Sequence, residues 1–346
     1  MKLRKRNVTI REVARAAGVS IQTVSNVMHN KSSVRPEIQV RVLDAIKRLG
    51  YYPSQSAQGL RQGASLTLGF LVFDPNPRAL ADPVHGEVIA GMNDVARANN
   101  YSLLIDTPSI RPEAPGEHFL RPFYTNRIDA AVITLSGTSD LHDAVIAELV
   151  EANAVFALLE REVSGDQAFC LLSTNAAGAY DATSLLIKRG RSRIAFIDSI
   201  QVWPAVEQRL QGYMRAMRAH GLESHIQVAS SPDWTVEGGA SAMQRLLNQT
   251  DRPWPDAVIG GNDLLAVGAM HAIRAVGLRI PDDIAVMGFD DFEFARYVEP
   301  AISTVHVPYY DMGRRAAETL IDHLQGKTVA ERRIILPTRI ILRRST

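Results

Sequence analysis

Two hydrophobic rhythms run along the chain and change over near residue 66. Before that point apolar positions fall three and four apart: Val13, Ala14 and Ala17 make one stripe, Val24 and Val27 a second, and Ile38, Val42, Ala45, Ile46 and Leu49 a third. Such spacing predicts three short amphipathic helices. The punctuation agrees. Thr9 and Glu12 have the spacing of a capping box, so the first helix starts at about Ile10, and Gly18 ends it. Ser20 is placed to cap the second helix. Pro36 suits the first turn of the third, and Gly50 its exit. With Val24 and Val27 turned towards the first helix, Ile21, Gln22, Ser25 and Asn26 point outward. An exposed polar face near a helix N-terminus suits a DNA major groove. The segment from Pro53 to Arg61 is polar and contains Gly59, a residue worth about 1 kcal/mol against a helix relative to alanine. Alone it is too short to stay helical.

From Leu66 onward, short apolar runs alternate with amphipathic stretches. Strands are predicted at 67–73, 102–105, 130–133, 154–159, 193–197, 257–259 and 284–287, and a helix from Val84 to Asn99 carries Val88, Met92 and Val95 on one face. This alternation implies parallel sheets covered on both faces, an α/β body. At 346 residues the chain is too long for one core and accommodates a head of about 60 residues plus two lobes of roughly 100 to 150 each.

Charge sharpens the picture. Residues 1–65 hold twelve Lys and Arg against three acids, a net +9, whereas the whole chain is +1, leaving −8 for the body. A basic head on an acidic body is the footprint of a polyanion binder. One cysteine, Cys170, excludes an intrachain disulfide and a cysteine-based zinc site, and suits a reducing cytoplasm. No secretory h-region follows the basic N-terminus, and no run approaches the roughly 18 apolar residues of a membrane span.

The order Thr9-Ile10-x-x-Val13-Ala14, Ala17-Gly18-Val19-Ser20, Thr23-Val24-Ser25 and Gly50-Tyr51-Tyr52-Pro53 resembles the DNA-binding headpiece of the lactose-repressor/galactose-repressor (LacI/GalR) family of bacterial transcription regulators. The body resembles that family's periplasmic-binding-protein-like domain, so the likeness covers essentially the whole chain. It implies a small all-α helix-turn-helix head at 1–52, a hinge helix and linker at 53–65, and an effector-binding and dimerisation body at 66–346. The body would comprise two Rossmann-like lobes, 66–162 with 305–332 and 163–304 with 333–346, the chain crossing near Arg161, Thr304 and Arg333. Ligand would sit at the carboxyl ends of the strands. A homodimer on a pseudo-palindromic operator is expected, because one short helix offers few base contacts. No leucine-heptad segment follows Ile340-Ile341-Leu342-Arg343-Arg344, which favours a dimer over a tetramer.

The DNA-contacting set implied by the resemblance is Thr9, Ser20, Ile21, Gln22, Thr23, Ser25, Asn26, His29, Ser54, Ala57 and Leu60. Gln22 has the bidentate amide that matches adenine, and Ser25 and Thr23 suit phosphate or base. Asn26 stands where the family usually has arginine, which moves the preferred base towards adenine. Leu60 resembles the family's minor-groove lever, or packs against its dimer mate. The effector set is Asp74, Arg78, Arg161, Trp203, Arg209, Asn262, Phe289 and Asp290. Carboxylate, amide and guanidinium at strand ends suit adjacent hydroxyls, hence a sugar or sugar derivative. A purine is the alternative, and Arg78 in place of the usual aromatic leaves an anionic effector open. Trp203 and Phe289 are either a stacking wall or core. Asp263 either caps a helix or meets ligand, and Asp291 reads as a turn residue.

Catalysis finds no support. Asp290 and Asp291 are adjacent on a strand end and point apart, unlike the facing carboxylates of a glycosidase. No dinucleotide, Walker, zincin or nucleophile-elbow motif is present. The nine histidines show no metal-ligand spacing, and neither metal nor cofactor is expected.

Overall fold

The computed structural model describes residues 8–28, 34–51, 64–74, 79–108, 119–137, 139–163, 165–250 and 253–346. The chain divides into two compact units that meet between Leu66 and Thr67.

In the first unit, α1 (Ile10–Ala17), α2 (Ile21–Met28) and α3 (Pro36–Leu49) enclose Val13, Val24, Val27, Val42 and Ala45. The caps form as the spacing predicts. Thr9 Oγ1 accepts the Glu12 N–H (3.4 Å) while Glu12 Oε2 accepts the Thr9 N–H (2.8 Å), and Ser20 Oγ accepts the Thr23 N–H (3.1 Å). Gly18 and Gly50 leave their helices in the left-handed region at φ 62°, where only glycine carries no steric penalty. Arg41 on α3 donates to the Ala17 carbonyl (2.5 Å), which satisfies an acceptor that the end of α1 leaves open.

The second unit holds two sheets. The first runs in the order β11 (Arg333–Leu336), β5 (Phe169–Ser173), β4 (Phe156–Leu159), β3 (Ala130–Leu135), β1 (Thr67–Phe73), β2 (Ser102–Asp106), all parallel. In the second the order is β12 (Arg339–Ile341), β10 (Ser303–His306), β9 (Ala285–Asp290), β8 (Ala257–Gly260), β6 (Ile194–Ser199), β7 (Gln227–Ser231), with only β12 antiparallel to its neighbour. Side chains on β1 show why the strands read as continuous apolar runs. Leu68, Phe70 and Val72 enter one core while Leu71 and Phe73 enter another on the opposite face, the pattern of a sheet covered on both sides.

The covering helices are α4 (Pro83–Ala98), α5 (Arg121–Tyr124), α6 (Ser139–Glu151), α7 (Asn175–Lys188), α8 (Pro204–Ala219), α9 (Val236–Leu247), α10 (Asp263–Ala275) and α11 (Tyr309–Leu324). Six of them pack in pairs, α4 on α11, α7 on α8 and α9 on α10. Glycines set the separation of the first pair. A Cβ on Gly313 would lie 2.1 Å from the Val88 carbonyl oxygen, and one on Gly91 would lie 2.0 Å from that of Tyr310. Backbone rather than a pliable side chain meets the added atom, so Gly313→Val is expected to destabilise the protein by about 1–3 kcal/mol or more. A thermal melt indistinguishable from that of the parent would refute this.

The passages between lobes differ from those expected. The chain leaves the first sheet after β5, at residues 173–175 rather than near Arg161, because Phe169–Ser173 pairs with β4 and β11. It returns at 306–309, close behind Thr304. The last passage falls at 336–339 rather than at Arg333: residues 333–336 belong to the first sheet, and only β12 joins the second. The first lobe therefore takes 67–173 and 309–336, and the second 175–306 and 339–346.

Candidate functional site

Strand ends from both sheets converge on one cleft. Its empty space is about 530 Å³, open solvent included, and its walls carry Asp82, Glu160 and Asp290, the polar groups Arg209, Asn262, Tyr309, Thr134 and His85, and the indoles of Trp203 and Trp234.

Arg209 is the hub. Presented by α8 and only 2% exposed, its guanidinium pairs with Asp290 at the end of β9 (2.7 Å). It also donates to Asn175 Oδ1 (2.9 Å), the Gly261 carbonyl (2.7 Å) and the Tyr309 hydroxyl (2.9 Å). Tyr309 in turn donates to Asp290 (3.0 Å). Since Tyr309 opens α11 in the first lobe and Asp290 ends β9 in the second, this phenol ties the two lobes together. Burial, reinforced by the Asp290 charge, pushes the Tyr309 phenol far up, so it stays a donor. Burial pulls the Arg209 guanidinium down, but Asp290 and the other partners outweigh it and hold it protonated. Beneath the guanidinium lies the Phe289 ring, 4.0 Å from Cζ to centroid.

Glu160 leaves β4 with φ 54°. Its carboxylate accepts from Ser173 Oγ (2.5 Å), the Ser173 N–H (3.1 Å) and Asn175 Nδ2 (3.0 Å). Burial raises its pKa, against the pull of these donors and of Arg209. Asp290 at φ 101° and Asp291 at φ 65° also sit in the left-handed half of backbone space. Strain of this kind, of order 1–3 kcal/mol per residue, is characteristic of ligand sites.

Neighbouring residues hold this frame. Asn262 caps α10 by accepting the Leu265 N–H (2.9 Å), which leaves its amide N–H group for the cleft. Asp263, fully buried, accepts from the Phe292 N–H (2.8 Å) and Thr304 Oγ1 (2.7 Å). It thus neither caps α10 through its side chain nor lines the cleft. Burial, with Asp290 second, pushes its carboxyl well up. A Cβ on Gly288 would lie 2.0 Å from its Oδ1, so the glycine before Phe289 makes room for this carboxyl. Asp291 is more than a turn residue. It pairs with Arg343 and with His306 Nδ1 (3.2 Å); burial pushes its carboxyl up, but those partners prevail and hold it below the usual range.

Of the effector residues expected from sequence, Trp203, Arg209, Asn262 and Asp290 line the cleft together. Phe289 does not: it is wholly buried under Arg209. Arg161 is also absent from the wall. Its Nη1 donates to His142 Nδ1 (2.6 Å) and its Nη2 to Asp143 (3.1 Å), since successive side chains diverge and Glu160 takes the inward position. Burial lowers the His142 pKa. Asp74, at the end of β1, contributes through charge by helping to raise Asp82. Arg78 lies outside the described residues. Sequence reasoning missed Asp82, His85, Thr134, Glu160, Trp234 and Tyr309. Asp82-Pro83 and Asp233-Trp234-Thr235 are helix-start signals that would have marked two of these loops. Among the described residues no cluster of His, Cys, Asp and Glu is arranged to hold a metal ion.

In the first unit, Ser20, Ile21 and Gln22 are exposed on and beside the start of α2, with Thr23, Ser25 and Asn26 half-buried next to them. Gln22 Nε2 donates to Asn26 Oδ1 (3.0 Å), so the two amides form one polar surface. Thr9 stands exposed at the start of α1. His29, Ser54, Ala57 and Leu60 lie outside the described residues.

Comparison with known proteins meets this geometry at both ends. Residues 9–54 match the family described as bacterial regulatory proteins, lacI family, and residues 183–346 match the periplasmic binding protein-like domain. The ribose operon repressor of Haemophilus influenzae is 32% identical over 346 residues, covering 97% of this chain and 98% of that protein. Among solved structures, the complex of the transcriptional regulator CelR with cellobiose is 29% identical, covers 98% of this chain and 100% of that one, and superposes with a TM-score of 0.69. The lac repressor dimer bound to operator and the anti-inducer ONPF, 24% identical, has the same fold at a TM-score of 0.81 over 98% of this chain and 99% of that one. An α/β body of two Rossmann-like lobes with a helix-turn-helix head defines a DNA-binding transcription regulator rather than an enzyme. The chain belongs to the lacI family of bacterial regulatory proteins.

Proposed function

We propose that this protein represses genes of carbohydrate use, acting in the cytoplasm as a homodimer on a pseudo-palindromic operator, and that a small sugar or sugar derivative bound between its lobes sets its affinity for DNA. The observation that carries this reading is the Arg209–Asp290 pair, the Asn262 amide and two indoles in the lining of one cleft. Fixed donors and acceptors suit vicinal hydroxyls, and indole faces suit the apolar face of a pyranose. The likeness to a ribose operon repressor and to a cellobiose-bound regulator supports a sugar. The operator-bound lac repressor dimer supports two heads on symmetric half-sites. Among the described residues no helix is long and apolar enough to cross a membrane.

A thermal-shift screen of sugars and purines tests the effector, because ligand at 100 times its dissociation constant adds about 2.7 kcal/mol to native stability. A purine response with none from any sugar would reject the carbohydrate. Shifts that persist unchanged in Asp290→Ala and Arg209→Ala would move the site.

For the head, Gln22→Ala is expected to relax discrimination at one base pair of an in vitro selected operator by about 1–3 kcal/mol, with little change in affinity for random duplex. Fluorescence anisotropy against single-base operator variants reads this directly. Uniform weakening on every sequence would instead assign Gln22 to the phosphates.

A further inference from the structure

Among the described residues, the cleft wall carries three carboxyls against one guanidinium and the His85 imidazole, whose Nδ1 bonds to the Ala79 carbonyl (2.9 Å). Asp82, Glu160 and Asp290 all line it, and among the described lining residues Arg209 is the one arginine or lysine. That charge is already committed to Asp290 at 2.7 Å, and three of the donors go to Asn175, Gly261 and Tyr309. Glu160 and Asp82 remain as surplus carboxyls. Asp82 caps α4 by accepting the Val84 N–H through Oδ1 (2.9 Å). Besides His85, the wall offers two neutral donor groups: the Asn262 amide, whose oxygen caps α10, and the indole of Trp234, whose buried N–H has no hydrogen-bond partner among the described residues.

Building on the sugar reading above, we infer that the effector is a polyhydroxylated molecule without acidic groups, either uncharged or bearing an ammonium, and that Glu160 and Asp82 exclude phosphorylated and acidic sugars. An acceptor-rich wall rewards a ligand rich in O–H or N–H donors. A phosphate or carboxylate entering the same space would set its oxygens against the acceptor oxygens of Glu160, which already takes donors from Ser173 and Asn175, and of Asp82, which takes the Val84 N–H. It could reach Arg209 only by displacing Asp290. The anionic effector that Arg78 suggested from sequence is thereby disfavoured.

The test uses full-length protein and matched sets of probes: glucose, glucosamine and glucose 6-phosphate; galactose, galactosamine and galactose 6-phosphate; ribose and ribose 5-phosphate; adenosine and its 5′-monophosphate. Thermal shift finds the set that binds, and calorimetry measures affinities within it. The phosphorylated member is expected to bind roughly a hundredfold or more weakly than its uncharged parent. Glu160→Gln and Asp82→Asn are each expected to narrow that ratio at least about tenfold, and Asp82→Asn remains informative if Glu160→Gln fails to fold. Equal or tighter binding of a phosphorylated member would overturn the inference, as would anion binding that Arg78→Ala abolishes, or a ratio that neither carboxyl variant changes. Binding of adenosine alone, with its monophosphate excluded, would remove the sugar and keep the charge rule. Silence across every set would overturn both.

Discussion

Replacing Arg209 with alanine is expected to abolish effector binding and to lower unfolding free energy by about 3–5 kcal/mol, the range for removing one partner of a buried ion pair. The side chains of Arg209 and Asp290 are 2% and 3% exposed, so each charge is desolvated and depends on the other. Asp290 would be left with one phenolic donor, and Glu160 would lose a favourable charge nearby. Asn175 Oδ1 and the Gly261 carbonyl would each lose a donor as well. All three tryptophans, Trp203, Trp234 and Trp254, lie in the second unit, so urea unfolding followed by tryptophan fluorescence reports this unit without interference from the head. The double variant Arg209→Met with Asp290→Asn should recover a good part of the loss, because it removes the orphaned charge along with its partner. A loss below about 1 kcal/mol in the single variant would show that the pair is not a brace.

Asp263 gives the second large effect, with a sign that depends on pH. Its folded-state pKa is raised by burial and by Asp290, whereas an unfolded aspartate titrates near about 3.9. A raised carboxyl contributes stability that is complete below the unfolded pKa and is lost as pH rises through the folded pKa. Asp263→Asn removes this dependence yet can keep both hydrogen bonds: the amide oxygen accepts the Phe292 N–H, and the amide nitrogen donates to Thr304 Oγ1, whose hydroxyl changes role. The stability of the Asp263→Asn variant relative to wild type should therefore increase with pH above about 4, by up to about 1.4 kcal/mol per unit. Asp263→Ala should instead be destabilised at every pH, because a buried N–H and a buried hydroxyl lose their partner at about 1–3 kcal/mol each. Parallel pH profiles for Asp263→Asn and wild type, from urea titrations between about pH 4 and 8, would reject the raised carboxyl.

The head was legible because its signals are local. Thr9, Gly18, Ser20, Pro36 and Gly50 punctuate helices whose apolar stripes do not depend on distant residues, and every one of these caps or starts forms where the spacing places it. In the body, long apolar runs such as 67–73 announced themselves, while Gln227–Ser231 and Ser303–His306 did not. The first is a sheet edge whose residues alternate between buried and exposed. The second is polar but buried: Ser303 is bonded to Ser345 and Thr346, and Thr304 to Asp263. Hydropathy cannot register a hydroxyl whose partner lies far along the chain. The missed strand β5 shifted the first lobe boundary for a related reason, since Phe169–Ser173 is short and its assignment rests on pairing with β4 and β11. In the cleft, Arg209, Asn262 and Asp290 were found through motifs, whereas Glu160 and Tyr309 depend on which way a backbone turns near a passage between lobes. At residues 160 and 161 the left-handed φ of Glu160 decided the matter, and no pattern of residue types encodes it.

The three passages between lobes also govern when the body can exist during synthesis. β10, α11, β11 and β12 all come from residues 303–341, yet they complete both sheets and supply Tyr309 to the cleft. A nascent chain stopped just before β10 has neither lobe finished, while its head, which encloses a core of its own, is already able to fold. Premature termination among the codons for residues 303–341 would thus release a DNA-reading head on an unfolded body: a fragment that retains non-specific attraction for the chromosome, lacks the cleft, and exposes strand edges that invite proteolysis and aggregation.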